Sequence, residues 1–200
     1  MPIFIDEPQL SPEWFAIRAG IPSASKFSEI ITITGKPAIS RTRYMNTLAG
    51  EKILGRKEET YQSPQMERGV QMEEEARKYY SLITGNEVKT IGFCFQDKKK
   101  LWGCSCDGLI NDDGILEIKC KNISNHITYI LNGKLISPEF QQVQGQLLIT
   151  GRKWVDFLCY YPGLRHSLLR VERDETFIKA LEAQLKAFVR ELRETIKKLK

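Results

Sequence analysis

The chain lacks any uninterrupted apolar run near the roughly 18 residues of a membrane helix, and its N-terminus carries no basic-then-apolar leader. These absences predict a protein without membrane attachment, working inside the cell. Histidine is scarce, with His126 and His166 only, so a zinc or iron–sulfur site around Cys104-x-Cys106 is short of ligands. The cysteines, at 94, 104, 106, 120 and 159, are odd in number and lie mostly in apparent strands. They read as buried thiols of a reducing compartment rather than as a disulfide framework. No internal repeat and no low-complexity segment interrupts the chain. Charge of one sign is only slightly in excess, at +5, which permits a nucleic-acid partner without requiring one. Two hundred residues with 42% hydrophobic content predict one globular domain over residues 1–200.

What the chain does contain is an unusual stretch at 103–120, Gly-Cys-Ser-Cys-Asp-Gly-Leu-Ile-Asn-Asp-Asp-Gly-Ile-Leu-Glu-Ile-Lys-Cys. From Gly114 onward it alternates, so Leu116, Ile118 and Cys120 face one side and Glu117 and Lys119 the other. An acid and a base beside a core are costly to bury unless a metal or phosphate lies between them. Asn111-Asp112-Asp113-Gly114 is turn chemistry, with Gly114 suited to a positive φ, so 104–110 is expected to be the preceding antiparallel strand. A three- or five-residue loop then sets Asp107 opposite Glu117 on the same face. Asp107, Glu117 and Lys119 would form a polar cluster with Ser105 beside it.

Along the chain, residues 1–13 read as an irregular arm. Ser11-Pro12-Glu13 marks a helix start carrying Trp14, Phe15 and Ile17. Residues 23–31 predict a second helix whose Ser23 and Ser25 are either plain caps or part of a phosphate site at its N-terminus. Ser40 is expected to cap a helix to about Leu54, ended by Gly55. Lys36, Arg41, Arg43, Lys52, Arg56 and Lys57 make this region basic, fit either for a DNA backbone or for a solvated face. A longer helix is expected from about Gln65 to Thr84, with Met66, Val70, Glu73, Arg77 and Tyr80 in one core-facing stripe. Within it Glu73 is either paired with Arg77 or aimed at the hairpin.

Residues 88–120 predict three strands in a meander, 88–95, 101–110 and the hairpin strand from Gly114 to Cys120. A helix is expected over 122–131, and Ser137-Pro138-Glu139 repeats the start signal for a helix carrying Gln141, Gln142, Gln144 and Gln146, whose polarity is most simply a surface property. Two strands, 153–161 and 166–172, precede a long amphipathic helix from about 175 with Phe177, Leu181, Leu185, Phe188, Leu192, Ile196 and Leu199 on one side.

Two carboxylates with the Ile118 carbonyl form a hard-oxygen set suited to Mg²⁺ or Mn²⁺, and a neighbouring lysine suits phosphodiester hydrolysis. Glu-x-Lys alone is weak, for Glu87-Val88-Lys89 repeats it; the aspartate on the adjoining strand supplies the specificity.

Several separated motifs extend this pattern: Trp14 through Arg18-Ala-Gly-Ile-Pro-Ser-Ala-Ser25, Gly69-Val-Gln-Met-Glu73-Glu-Glu-Ala-Arg77, Ser105-Cys-Asp107-Gly through Leu116-Glu117-Ile-Lys119-Cys120, and Gln142-Val-Gln144. In this order the chain resembles the lambda-exonuclease-like (YqaJ-type) viral recombinase nucleases of the PD-(D/E)xK superfamily. Cys106 departs from the superfamily's proline, and only local packing is expected to differ.

The resemblance implies an α/β fold of restriction-endonuclease type, a central mixed β-sheet flanked by α-helices. It implies Asp107, Glu117 and the Ile118 carbonyl as ligands of Mg²⁺, with Mn²⁺ as substitute and two ions expected. Lys119 would assist the attacking water, with Glu73 and Gln142 beside it, while Arg18, Ser25 and Ser105 would grip a 5′-phosphate. The implied activity is 5′ to 3′ exonuclease action on double-stranded DNA ends, leaving 3′ single-stranded tails for phage-type recombination. A homotrimer, a single-strand annealing protein as partner, and the bacterial cytoplasm as location follow from the same resemblance. An endonuclease of the same superfamily and a non-catalytic DNA-binding module are the competing expectations.

Overall fold

The computed structural model of the chain describes residues 1–58 and 64–200, with the backbone alone given for 64–67. Its centre follows from the Gly114–Lys119 strand, whose Ile115, Leu116 and Ile118 are all buried and so need cover on both faces. The strands are β1 (Ile3–Ile5), β2 (Val88–Lys89), β3 (Phe93–Phe95), β4 (Gly103–Cys104), β5 (Gly108–Ile110), β6 (Gly114–Lys119), β7 (Trp154–Cys159) and β8 (Ser167–Glu172). The helices are α1 (Pro12–Arg18), α2 (Arg41–Leu54), α3 (Pro64–Thr84), α4 (Ile123–Asn132), α5 (Glu139–Thr150) and α6 (Glu175–Lys198), with a 3₁₀ helix over Ala24–Glu29.

The larger sheet has the order β2-β5-β6-β7-β8. Only β6 and β7 pair in parallel, and α4 and α5 supply the crossover that a parallel pair requires. On one face, α5 and α6 cover Ile115, Val155 and Phe157 with Val143, Leu147, Leu181, Leu185 and Phe188, and Leu48 of α2 joins the same core. On the other, Ala76 and Tyr80 of α3 cover Ile110, Leu116, Ile118 and Leu158. The fold is thus the mixed sheet between helices that the resemblance implies, and α6 packs its apolar stripe on the chain's own core as far as Ile196.

Several expectations need correction. The 88–120 meander is divided between two sheets, because β3 and β4 leave the larger sheet to join β1 in the order β1-β3-β4. The expected irregular arm therefore contains a strand, with Ile3 opposite Phe95 and Ile5 opposite Phe93. Gly92 allows this switch: a Cβ there would lie 1.8 Å from the Glu7 carbonyl oxygen, so only glycine lets the arm approach.

In the β5–β6 loop the positive φ falls on Asn111, at 44°, rather than on Gly114. Gly114 is required for a different reason, since a Cβ on it would meet the Trp154 ring at 2.2 Å. The expected helix at 23–31 is a 3₁₀ segment, and Ser23 at its head makes no cap bond.

Helix α3 is rotated from its expected stripe. Met72, Ala76 and Tyr80 pack on the sheet, Glu73 and Arg77 sit half-buried at the rim, and Val70 is exposed. The side chain of Met66 lies outside the described residues. Small and aromatic groups take the core, and the charged pair stays where water reaches it. The glutamines of α5 are not surface groups, for Gln141, Gln144 and Gln146 are all buried.

Candidate active site

Gly108 pairs with Leu116 and Ile110 with Gly114, so the three-residue loop sets Asp107 opposite Glu117 one step beyond the paired strand. Asp107 lies where the chain passes from β4 in one sheet to β5 in the other, and its Oδ2 accepts a 2.6 Å hydrogen bond from the Ile118 main-chain N–H. The aspartate therefore bonds directly across to the strand that carries Glu117 and Lys119.

Glu117 is 1% exposed, and three side-chain donors surround it. Lys119 Nζ and Gln142 Nε2 each lie 2.5 Å from Oε1, and Gln146 Nε2 lies 2.6 Å from Oε2. Gln146 also donates to the Ser105 carbonyl at 3.2 Å. Gln142 and Gln146 are four residues apart and so share one face of α5, which lays two amides over the carboxylate. Gln146 was not singled out among the sequence-based site residues; its spacing from Gln142 was the available signal.

Charge in the site is concentrated and poorly hydrated. Burial, reinforced by the charges on Glu117 and Glu73, holds the Asp107 carboxyl well above the usual aspartate range. Burial also raises Glu73, opposed by Arg77 and reinforced by Glu117. Burial alone would depress Lys119, but the negative charges of Glu117 and Asp107 outweigh it and keep the ammonium firmly protonated.

Among the described residues no three His, Cys, Asp or Glu side chains form a metal nest by themselves. Two carboxylates that raise the local cost of negative charge, together with the Ile118 carbonyl, nevertheless fit a small hard cation that completes its shell with water and phosphate oxygens.

A second cluster lies beside this one. The Arg18 guanidinium stacks 3.9 Å from the centre of the Trp14 ring and donates to Ser23 Oγ at 3.5 Å, and Ser23 Oγ lies 3.4 Å from Ser25 Oγ. Trp14 Nε1 donates to both the Gly92 carbonyl and Ser105 Oγ. Arg18 Nε is buried without a hydrogen-bond partner, so this cation retains donor capacity. Ser23 is a member of this cluster, whereas the resemblance named only Ser25 of the two serines.

A single cleft of about 530 Å³ collects every predicted site residue: Arg18, Ser25, Glu73, Ser105, Asp107, Glu117, Ile118, Lys119 and Gln142. Of the basic segment near α2, by contrast, Arg41 pairs with Glu191 and Lys57 with buried Glu51, so part of its charge is structural.

The model of the YqaJ-like viral recombinase domain matches residues 13–153. Among solved structures, an alkaline exonuclease (LHK-Exo) from Laribacter hongkongensis is 36% identical with a TM-score of 0.86, over 94% of this chain and 96% of that one. LHK-Exo in complex with dAMP gives 35% identity and a TM-score of 0.87 over the same shares. A phage related exonuclease from Haemophilus somnus 129PT, 15% identical with a TM-score of 0.68 over 90% of this chain and 96% of that one, shares the fold. No curated protein matches the chain in sequence. With a family match across most of its length and a solved relative of this identity, the chain belongs to the YqaJ-like viral recombinase domain family.

Proposed function

We propose that the protein is a Mg²⁺-dependent 5′ to 3′ exonuclease of double-stranded DNA ends, leaving 3′ single-stranded tails for recombination by strand annealing. The family and the alkaline exonuclease relatives support an exonuclease role. The observation that carries the finer reading is the joining of two chemistries in one cleft, an acid–lysine–glutamine cluster and an arginine–serine cluster. Hydrolysis needs the first, and preference for a phosphorylated end needs the second.

In this reading Asp107, Glu117 and the Ile118 carbonyl hold Mg²⁺, or Mn²⁺ in its place, with two ions expected. Such a metal, when bound, would supply polarisation of the scissile phosphoryl oxygen and a lowered pKa of its water. Lys119 would orient or deprotonate the attacking water and offset charge on the developing phosphorane. Gln142 and Gln146 keep Glu117 aimed, and Glu73 bounds the site from α3. Arg18, Ser25 and Ser105 take the 5′-phosphate, which fixes the register of the terminal nucleotide. The dAMP bound by LHK-Exo is a 5′-mononucleotide, the product such cutting releases from a deoxyadenosine end. A homotrimer around DNA and an annealing protein as partner belong to the same proposal.

The test is a digestion time course on 5′-phosphorylated linear duplex with Mg²⁺ or with chelator, beside closed circular DNA. Stepwise release of mononucleotides from the linear substrate, dependent on the metal, is the expected result. Rapid cutting of the circle overturns it in favour of an endonuclease, and inertness on both substrates in favour of a non-catalytic module.

A further inference from the structure

The lining of the cleft carries three carboxylates, Glu73, Asp107 and Glu117, and three cations, Arg18, Lys119 and Lys121. The cations are not equivalent. Lys119 is paired to Glu117, which itself lines the cleft, and Arg18 is stacked on Trp14. Lys121 is paired instead to Glu139, whose Oε1 lies 2.8 Å from Nζ and which is not part of the lining.

Glu139 occupies the first turn of α5 and is only 4% exposed. A carboxylate so placed needs a cation, and the cation it takes still faces the cleft. An ammonium has three donors, so the bond to Glu139 leaves two for a ligand. Asn122 and Asn125 line the same wall; Asn122 caps α4 by accepting from the Asn125 N–H through Oδ1, which leaves its amide donors available.

Glu117 and Lys119 alternate along β6, and Lys121 follows two residues past its end in the lining of the same cleft.

We propose that Lys121, presented by Glu139, binds a backbone phosphodiester of the strand that enters the cleft, next to the scissile one. Resting on the proposed nuclease function, this assigns Lys121 to substrate binding and makes Glu139 a positioning residue. Lys121 contributes one neutralised phosphate to DNA affinity, and Glu139 holds its stem so that the ammonium is already directed at the ligand.

The experiment uses the full chain and equilibrium binding of 5′-phosphorylated duplex in chelator across a KCl series, with steady-state digestion in Mg²⁺ alongside. Lys121→Ala is expected to flatten the slope of log affinity against log salt by about 0.9, the share of one phosphate contact. It should also raise KM by more than it lowers kcat, and Lys121→Arg should restore the slope. Glu139→Gln keeps the lysine charge and hence the slope, but raises KM.

A wild-type slope and KM in Lys121→Ala, with a fall in Tm alone, overturns the inference and leaves Lys121 as the counter-charge of Glu139. Unchanged KM in Glu139→Gln overturns the positioning role. If wild-type protein fails to digest duplex ends at all, the nuclease reading fails, and the binding series still decides whether Lys121 meets a phosphate.

Discussion

Arg77 grips Glu73 and the main chain of Asp107 at once, its Nη2 lying 2.5 Å from Glu73 Oε1 and its Nε donating to the Asp107 carbonyl at 3.0 Å. One guanidinium therefore ties the rim of α3 to the segment where the chain changes sheets. Glu73 is thus paired with Arg77 and also lines the cleft that holds Asp107 and Glu117.

Arg77→Ala should therefore slow cutting more than it loosens the fold. An i,i+4 pair of this kind contributes only about 0.3–0.5 kcal/mol, whereas a displacement of the site by about an ångström costs on the order of a hundredfold in rate. Single-turnover rates and thermal melting check this. A lowered Tm with an unchanged rate shows a structural tie and nothing more.

The two glutamines on Glu117 should separate in stability. Gln146→Ala removes the side-chain donor to Oε2 of a buried carboxylate, and leaving such a group unsatisfied costs about 1–3 kcal/mol. Gln142→Ala costs less, because Lys119 still donates to Oε1. Both should lower kcat. Denaturant unfolding checks the order of the two variants.

Asp107 gives the pH dependence. Its folded pKa is raised, by burial first and then by Glu117 and Glu73, so the folded state holds the proton more tightly than the unfolded one. Stability of the metal-free protein should then fall as pH rises from the ordinary aspartate value of about 3.9 through the raised one. Asp107→Asn, which can still accept from the Ile118 N–H, should melt higher than wild type above that window and equally below it. Mg²⁺ should narrow the gap by stabilising wild type alone. A variant that melts lower at every pH contradicts this account.

Arg18→Ala should erode the preference for phosphorylated ends. Loss of a charge-assisted bond to phosphate is worth about 1.5–3 kcal/mol, or on the order of ten- to a hundredfold on the phosphorylated substrate. Equal losses on phosphorylated and hydroxyl ends count against the pocket. Comparing kcat/KM on the two ends decides.

The legible parts of this molecule are those governed by local rules. The alternation through Glu117 and Lys119, the loop that sets Asp107 opposite Glu117, and the ends of α2 and α3 at Gly55 and Gly85 all depend on neighbours in sequence. What escaped depends on partners far along the chain. Gly92 marks a change of sheet only because the N-terminal arm lies against it, and Gly114 is needed only because of Trp154. Gln146 looked like surface polarity because nothing local shows Glu117 beneath it. The pairing of Glu139 with Lys121, 18 residues apart, has no signature in the sequence.

Helix α5 has a bearing on how mutational screens of this protein should be interpreted. Gly145 lies against the Phe27 ring, where an added Cβ would come within 2.5 Å, so α5 packs on the 3₁₀ segment that carries Ser25 while its glutamines hold Glu117. Overpacking there costs about 1–3 kcal/mol and pushes both clusters apart together. In a selection for recombination, Gly145→Ala would score like the loss of a catalytic group, although glycine has no side chain to take part in the chemistry. Dead variants along α5 mark the spacing between the two clusters, and only a measurement of folding separates them from dead variants of the reaction itself.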